Sequence, residues 1–214
     1  DNLIFVHNNN NNNNTDLQGI ENLAGLEQKN DSSKIMENLQ TEKISFKNKF
    51  YDYIENLQDQ ITSKLEALDS LATFEEDLWE RKEGGGGRTR VIENGAIFEK
   101  GGVNISAVHG ELPEVLRNQF QVKEGDFFAC GLSLVLHPTN PFVPTVHANW
   151  RYFEMFEKDG TLVDSWFGGG QDLTPYYLFE EDAKHFHEVS KAACDAHEKT
   201  FYPEYKKKCD EYFK

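Results

Sequence analysis

The fold is decided by residues 145–156, which read TVHANWRYFEMF. In a β-strand, successive side chains point to opposite faces. One face of this segment carries polar groups: Thr145, His147, Asn149 and Arg151. The other face is mainly apolar: Val146, Ala148, Trp150, Tyr152 and Phe156. The alternation predicts a strand with a core on one side, while its polar face is open to two interpretations, a binding surface or a solvated exterior.

The preceding segment, residues 126–137, repeats this division. Its leucines at 132, 134 and 136 share one face, whereas Ser133 and His137 share the other. At about 3.3 Å per residue, the stretch from His147 to Arg151 spans roughly 13 Å, so its polar groups can contact several substituents of a large ligand. Two such neighbouring strands predict a site wall backed by a hydrophobic core.

Further period-two segments and short turns extend the sheet on both sides. Strands are predicted at 97–99, 102–108 and 161–167, with turn residues between them that favour antiparallel neighbours. Helical spacing of apolar residues follows Ser45 and returns after Phe179, and Pro203 can begin a last helix that runs to Phe213. The predicted class is therefore α+β, with a large antiparallel β-sheet flanked by helices.

The domain organisation follows from composition. Residues 1–44 include a run of asparagines and few large apolar side chains, so we expect a disordered Asn-rich leader followed by one folded domain at 45–214. Four glycines at 84–87 predict a flexible loop. They lack the following Gly-Lys-Ser/Thr of a phosphate-binding loop, which excludes that function.

Charge and hydropathy narrow the functional classes. The chain has 214 residues, 22 Lys and Arg, 37 Asp and Glu and a formal charge of −15, which argues against indiscriminate nucleic-acid binding. No apolar stretch is long enough for a membrane span. Three widely spaced cysteines predict a reducing compartment, and the lack of a signal or transit pattern predicts a cytoplasmic location.

Two more groups of residues, a glycine-rich segment before an aspartate and a pair of histidines, are candidates for a functional role. Gly168–Gly170 precede Asp172, so we predict a loop whose backbone approaches a ligand, although a turn capped by Asp172 has the same sequence. His185 and His187 are about 200° apart on the next helix and cannot face one ligand. His187 lies nearer the apolar stripe, where a hydrogen-bonded core histidine is the alternative to a ligand.

Five stretches together resemble one enzyme family: residues 79–87, 98–104, 133–138, 144–153 and 166–175. Their sequences are WERKEGGGG, FEKGGVN, SLVLHP, PTVHANWRYF and WFGGGQDLTP. In this order they closely resemble oxygen-dependent coproporphyrinogen III oxidase, from about residue 47 to the end of the chain. That resemblance implies a homodimer with a large antiparallel sheet. It also implies oxidative decarboxylation of coproporphyrinogen III to protoporphyrinogen IX in haem biosynthesis, with dioxygen as co-substrate, no organic cofactor, and release of CO2 and H2O2.

The resemblance also implies roles for individual residues. The substrate-binding groups are Ser133, Asn149, Trp150 and Arg151. The catalytic groups are His147, as a proton donor, and Asp172, which resembles the carboxylate that contacts pyrrole N–H groups. His137, His147 and His187 resemble histidines assigned to a metal. Three imidazoles could bind a divalent ion, but imidazoles that face a polyanionic substrate can equally donate hydrogen bonds to its propionates, which is the interpretation we favour.

Physical chemistry limits two of these roles. A tetracarboxylate needs local cations, and Arg151 can bind a carboxylate through two parallel hydrogen bonds. Asp172 is too weak a base to deprotonate a pyrrole N–H, so we expect it to orient the ring and stabilise positive charge that develops there.

Members of this family continue beyond the last predicted helix, so we expect the chain to be incomplete at its C-terminus. Two alternative functions follow. One is a truncated, non-catalytic tetrapyrrole-binding or dimerisation fragment, and the other is a histidine-metal oxygenase that acts on a different substrate.

Overall fold

The computed structural model of the protein describes the backbone of residues 31–212 and the side chains of residues 46–118 and 120–211. A long helix comes first, six strands follow with one short helix among them, and two helices come last. The helices are α1 (Asp31–Asp69), α2 (Glu114–Phe120), α3 (Glu180–Asp195) and α4 (Phe201–Tyr212). The strands are β1 (Glu75–Glu80), β2 (Gly85–Glu93), β3 (Phe98–Glu111), β4 (Asp126–Pro138), β5 (Thr145–Phe156) and β6 (Leu162–Thr174).

The six strands form a single sheet in chain order, and every neighbouring pair is antiparallel. This arrangement confirms the predicted α+β class. It also confirms the strands predicted at 126–137 and 145–156, to within one residue at their ends. No helix in the described part of the chain is long and apolar enough to cross a bilayer.

The hydrophobic core lies between α1 and one face of the sheet. Ile54 of α1 is fully buried against Val103 and Ile105 of β3 and Leu132 of β4. Each of these side chains contributes about 1.5–3 kcal/mol by leaving water. Leu132 and Leu136 are buried as their alternation predicts. The face that packs on α1 is therefore the apolar face, and the polar face lies on the other side of the sheet.

Buried polar contacts fix the position of α1 on β2 and β3. Gln58 is fully buried, and its Nε2 donates to the backbone oxygens of Arg88 and Val103, at 2.9 and 2.7 Å. Its Oε1 accepts from Arg88 Nε at 2.6 Å. Asp59 forms ion pairs with both Arg88 and Arg90. The side chains of these two arginines therefore stabilise the contact between α1 and the sheet.

Asp69 joins the end of α1 to the turn between β2 and β3. Its carboxylate is buried and accepts hydrogen bonds from five backbone N–H groups: Leu71, Ala72, Ala96, Ile97 and Phe98. The N–H groups of Phe98 and Ala72 contribute most to holding the pKa of Asp69 well below its usual range. Such hydrogen bonds favour the charged carboxylate.

We expect Asp69→Asn to lower the melting temperature by about 5–10 °C, because an amide turns a donor toward N–H groups that need an acceptor. The folded-state pKa of Asp69 is depressed, so its contribution is present above the unfolded pKa of about 3.9 and is lost as the pH falls below that value. We thus expect denaturant unfolding between pH 7 and pH 2.5 to show that, below about pH 4, the free energy of unfolding falls less steeply with pH for the variant than for wild type. Asp52→Asn, at an exposed position on α1, is the control, and equal slopes for Asp69→Asn and wild type would contradict this role.

The structure corrects three local predictions. The first helix begins at Asp31 rather than after Ser45, and residues 1–30 of the predicted leader lie outside the described residues. Gly84–Gly87 are not a flexible loop, since only Gly84 precedes β2 and the other three glycines belong to it. Gly168–Gly170 and Asp172 likewise lie within β6 rather than on a loop.

Close packing explains why these glycines are in strands. A β-carbon on Gly87 would meet both the ring of Trp79 and the backbone oxygen of Ile105, and one on Gly169 would meet the backbone oxygen of Asn149. The β1–β2 turn adds a second constraint, because Gly84 and Gly85 have φ values of 120° and 85°, which L-residues with side chains rarely adopt.

Helices α3 and α4 lie at the end of the chain. Ser190 of α3 accepts a hydrogen bond of 2.6 Å from Gln171 Nε2 on β6, which attaches α3 to the sheet. Because side chains alternate along β6, Gln171 and Asp172 point to opposite faces. Helix α4 packs on α3 through Tyr205 and Cys209, both buried. Helix α3 is thus attached to the sheet face opposite Asp172.

Candidate active site

The polar face of the sheet borders a cavity of about 780 Å³. Its floor consists of side chains and glycines from β3, β4, β5 and β6, and Trp79 of β1 also contributes. Polar residues of the floor include Asn104, Ser106, Ser133, Asn149 and Arg151. The predicted binding residues Ser133, Asn149 and Arg151 therefore converge on one cavity, which favours a binding surface over a solvated exterior.

The strand register aligns these residues in two adjacent rows across the sheet. In the first row, Asn104 lies opposite Ser133, which lies opposite Asn149. In the second, Arg151 lies between two glycines, Gly131 and Gly168. The first row supplies neutral hydrogen-bonding groups. The second leaves open space on either side of a single guanidinium group.

Arg151 is free to bind an anion. Its Nε donates a 2.9 Å hydrogen bond to Asn149 Oδ1, which orients the guanidinium. Neither terminal nitrogen has a hydrogen bond or ion pair among the described residues, in contrast to the paired Arg88 and Arg90. Two terminal N–H groups in a fixed fork match a carboxylate. Arg151 is thus suited to bind one carboxylate of a polyanionic ligand.

Gly131 provides the space for this arginine. A β-carbon there would lie 2.6 Å from Trp150 O and 3.0 Å from Arg151 Cγ. Since the first of these contacts is with backbone, it is not relieved by a simple side-chain rotation. Any side chain at position 131 must therefore displace β5 and the guanidinium group.

We expect Gly131→Ala to lower the melting temperature by about 3–8 °C, the effect of overpacking a well-packed region. Ligand affinity should fall as well, because Arg151 is displaced. Gly102→Ala is a matched control for thermal stability, since a β-carbon at Gly102 comes no closer than 3.4 Å to Asn104 Nδ2. Calorimetry of both variants measures the difference, and a melting temperature for Gly131→Ala equal to wild type would contradict the predicted clash.

His147 and Asp172 form a hydrogen-bonded pair on the same face, directly opposite each other on β5 and β6. His147 Nδ1 is 2.9 Å from Asp172 Oδ1. A carboxylate can only accept, so Nδ1 carries the hydrogen and Nε2 is the atom left to exchange a proton. Thr174 Oγ1 donates to the same carboxylate oxygen at 3.3 Å. This pair lies one row beyond Ser133 and Asn149 and is outside the lining of the cavity itself.

His137 is next to this pair but is not bonded to it. Its ring centroid is 6.3 Å from that of His147, and its Nδ1 is 3.4 Å from Thr145 Oγ1. The row that contains His137 and Thr145 is the next one beyond His147 on the same face. The end of the polar face thus carries two imidazoles and one carboxylate.

His187 does not join the other two histidines. It lies on α3, where Tyr202 Oη is 2.9 Å from its Nδ1, and burial together with Lys206 lowers the pKa of His187. Among the described side chains, those of residues 46–118 and 120–211, no three His, Cys, Asp or Glu groups converge as a metal site. The described residues therefore do not fit a metal held by His137, His147 and His187, because α3 is attached to the opposite face of the sheet.

Trp150 is also separated from its predicted partners. Trp150 lies between Asn149 and Arg151 on β5, so its side chain points to the other face of the sheet. There it is 38% exposed. It neither lines the cavity nor joins the buried core. The expectation that it belongs to a hidden apolar face is wrong, because Phe50 of α1 packs on Tyr152 and Phe167 at that part of β5 and β6, whereas Trp150 is left outside the core.

Aromatic side chains form the end of the cavity away from the histidines. Phe153 and Trp166 line the cavity, and their rings stack at 4.3 Å with an interplanar angle of 26°. Phe127 stacks on Phe153 at 5.7 Å, and Phe120 stacks on Trp166 at 5.4 Å. The site is therefore asymmetric, with an apolar, aromatic end and a polar end that carries imidazoles.

Asn104 is a further residue of the site, and it was not predicted as one from the sequence. It lines the cavity beside Ser133, and its Oδ1 is buried without a hydrogen-bond partner among the described residues. An asparagine in the middle of a strand is unfavourable by propensity. An asparagine in the middle of β3, on its polar face, is therefore the sequence feature from which this site residue could have been predicted.

Comparisons with known proteins identify the family of this chain. The family model described as coproporphyrinogen III oxidase matches residues 49–214. A soybean (Glycine max) protein named oxygen-dependent coproporphyrinogen-III oxidase, chloroplastic, is 50% identical over 182 residues. That alignment covers 79% of this chain and 46% of the soybean protein, so the chain spans about half the length of this relative. The predicted cytoplasmic location is contradicted by this comparison, because the soybean protein is named as chloroplastic.

Proposed function

Because the chain belongs to the coproporphyrinogen III oxidase family, we propose that the protein converts coproporphyrinogen III to protoporphyrinogen IX. The proposed reaction is an oxidative decarboxylation of two propionate side chains to vinyl groups. It is a step in haem biosynthesis, and dioxygen is the electron acceptor.

One observation carries this proposal. Arg151, with two unpaired terminal nitrogens, lies in the floor of a cavity beside the neutral polar groups Ser133 and Asn149. The His147–Asp172 pair lies on the same face, roughly 13 Å along β5. A tetrapyrrole with four carboxylates offers anionic tails for the arginine and ring N–H groups for the acceptors. It is also wide enough to reach from Arg151 to His147.

The atoms and electrons of the reaction balance with dioxygen alone. In each propionate, the side-chain carbon attached to the ring loses a hydrogen with two electrons. The bond to the carboxylate then breaks, CO2 leaves, and the electron pair of that bond forms the double bond of the vinyl group. Dioxygen takes that hydrogen with its electron pair, and with one further proton becomes H2O2. No organic cofactor is needed in this balance, because the electron-rich ring system of the substrate activates the carbon that is oxidised.

The residues of the site have distinct roles in this reaction. Arg151 binds one propionate through its terminal nitrogens and thereby fixes the position of the ring. Asp172 Oδ1 holds His147 with its hydrogen on Nδ1, so the protonated imidazole supplies the required proton from Nε2. Asp172 Oδ2 has no hydrogen-bond partner among the described residues. This oxygen accepts from ring N–H groups and stabilises the positive charge that develops on the macrocycle.

His137 acts in this proposal as a hydrogen-bond donor to a second propionate. The support is its exposed position next to His147 on the polar face. An imidazole that faces a carboxylate is a charge-assisted donor when protonated. Neither His137 nor any other residue is assigned to a metal.

The experiment is a product assay on the full-length protein. Coproporphyrinogen III is incubated in air with the protein, and the products are separated and detected by fluorescence after oxidation. The proposed function predicts protoporphyrin together with one H2O2 and one CO2 for each vinyl group formed. Tight binding of the porphyrinogen without any vinyl product would instead support a non-catalytic binding protein. A required iron together with no binding of the porphyrinogen would support a histidine-metal oxygenase that acts on a different substrate.

The proposed active form is a homodimer. Its support is a set of exposed apolar side chains, in which the rings of Phe142 and Tyr177 lie 4.9 Å apart and Val143, Tyr176 and Leu178 are their neighbours in the sequence. Contiguous exposed apolar patches commonly mark protein contacts. Sedimentation of the full-length protein at micromolar concentration tests this, with twice the monomer mass as the expected result.

A further inference from the structure

We propose that Asn104 is a further substrate-binding residue, whose amide oxygen accepts a hydrogen bond from a ring N–H of the tetrapyrrole. This inference rests on the proposed function and assigns a binding role to a residue on β3. It concerns the ring of the substrate rather than its carboxylates.

The starting point is an unused acceptor. Asn104 Oδ1 is shielded from solvent and has no hydrogen-bond partner among the described residues. A buried polar group without a partner lowers the stability of a protein. By contrast, Asn149 lies in the same row, and its Oδ1 accepts from Arg151 Nε. Asn104 therefore has no structural hydrogen bond that would explain an asparagine in the middle of β3.

The position of Asn104 puts this amide within the candidate site. It lies opposite Thr89 on β2 and Ser133 on β4, and it lines the same cavity as Arg151. Arg151 is one row away, because its cross-strand partner Gly131 pairs with Ser106 rather than Asn104. A ligand held at Arg151 by a carboxylate thus extends across Asn104 on its way toward His147.

The amide has room to turn. The neighbour toward the His147 row on β3 is Gly102, and a β-carbon there would lie 3.4 Å from Asn104 Nδ2. With no side chain at that position, rotation about the Cβ–Cγ bond can exchange Oδ1 and Nδ2, so that the oxygen faces the cavity and the nitrogen takes its shielded place. This torsion has a broad energy profile in asparagine. Rotation therefore converts a shielded acceptor into one that a ligand can contact.

Because Asn104 Oδ1 is an acceptor, only a hydrogen-bond donor of the ligand can bind it. Carboxylates are themselves acceptors at neutral pH, so they cannot satisfy Oδ1. The donors that a porphyrinogen offers are its pyrrole N–H groups. The complementary arrangement is therefore a carboxylate on Arg151 and a ring N–H on Asn104.

The test compares Asn104→Ala with Asn118→Ala, a change of the same type at an exposed position on α2. Dissociation constants are measured anaerobically on the full-length protein for coproporphyrinogen III, and in parallel for zinc coproporphyrin III, which has no ring N–H. Loss of one hydrogen bond should weaken coproporphyrinogen binding by about fivefold to tenfold and leave zinc coproporphyrin binding unchanged. The melting temperature should stay equal to wild type or rise, because the substitution removes an unsatisfied buried group.

Other results would overturn the inference. A lower melting temperature with equal weakening for both ligands would assign Asn104 a structural role, and unchanged coproporphyrinogen binding would remove it from the site. Asn104→Val repeats the test with a side chain that suits a strand. Failure of the wild-type protein to bind coproporphyrinogen at all would refute the proposed function itself, which separates that failure from one of Asn104 alone.

Discussion

Replacing Arg151 by glutamine should lower kcat/KM for coproporphyrinogen III by about 100- to 1000-fold. Arg151 is exposed in the absence of a ligand, and the loss of a charged partner from a carboxylate that the bound macrocycle shields from water has effects of this size. Of the five arginines in the chain, Arg151 is the one that lines the cavity. Its terminal nitrogens have no other partner among the described residues, so no neighbouring group compensates for its loss.

A lysine at this position separates charge from geometry. Arg151→Lys keeps the charge but loses the two parallel hydrogen bonds, so we expect a loss of about tenfold in kcat/KM. Arg117→Gln is the matched control, because it removes the same charge on α2, outside this cavity. If Arg151→Gln and Arg117→Gln had equally small effects, Arg151 would not bind the substrate.

Asp172→Asn should lower kcat by about 100-fold with a smaller change in KM. The carboxylate fixes the hydrogen of His147 on Nδ1, and an amide can instead donate to Nδ1 and shift that hydrogen to Nε2. It also removes the negative charge that stabilises the developing cation on the ring. Loss of both effects acts on the transition state more than on substrate binding.

Asp164→Asn serves as the control for this variant. Asp164 also lies on β6, and its side chain accepts a hydrogen bond from the adjacent backbone N–H of Ser165. Steady-state kinetics of both variants, with circular dichroism to verify folding, measure the difference. Near-normal turnover by Asp172→Asn would contradict the electrostatic role of this carboxylate.

The centre of the fold could be predicted from the sequence because its pattern is unambiguous. Period-two alternation in 126–137 and 145–156 places Ser133, Asn149 and Arg151 on one face, and the structure brings them to one cavity. Side-chain direction in a strand follows from its geometry alone. A site built on adjacent strands is for that reason accessible to sequence analysis.

The glycine-rich segments could not be predicted in the same way. Glycine disfavours strands by propensity, so Gly84–Gly87 and Gly168–Gly170 indicate loops. Their place in β2 and β6 depends on neighbours distant in sequence, such as the ring of Trp79 over Gly87. Tertiary packing therefore overrides the local preference at these positions.

Two predicted site residues could not be placed from the sequence for a different reason. Helical spacing puts His187 near an apolar stripe but does not say which face of the sheet its helix is attached to, and α3 is attached opposite His147. Trp150 has the predicted direction, but its exposure depends on where α1 packs on the sheet. Both placements depend on the arrangement of helices on the sheet, about which strand periodicity carries no information.

A crystal structure of the full-length protein with coproporphyrin III tests most directly whether the polar face of the sheet is the active site. We expect the macrocycle over β3–β6, with one propionate on the terminal nitrogens of Arg151 and the ring near Ser133 and Asn149. A tetrapyrrole bound on the face that packs against α1 and α3, or away from the sheet altogether, would contradict this account of the enzyme.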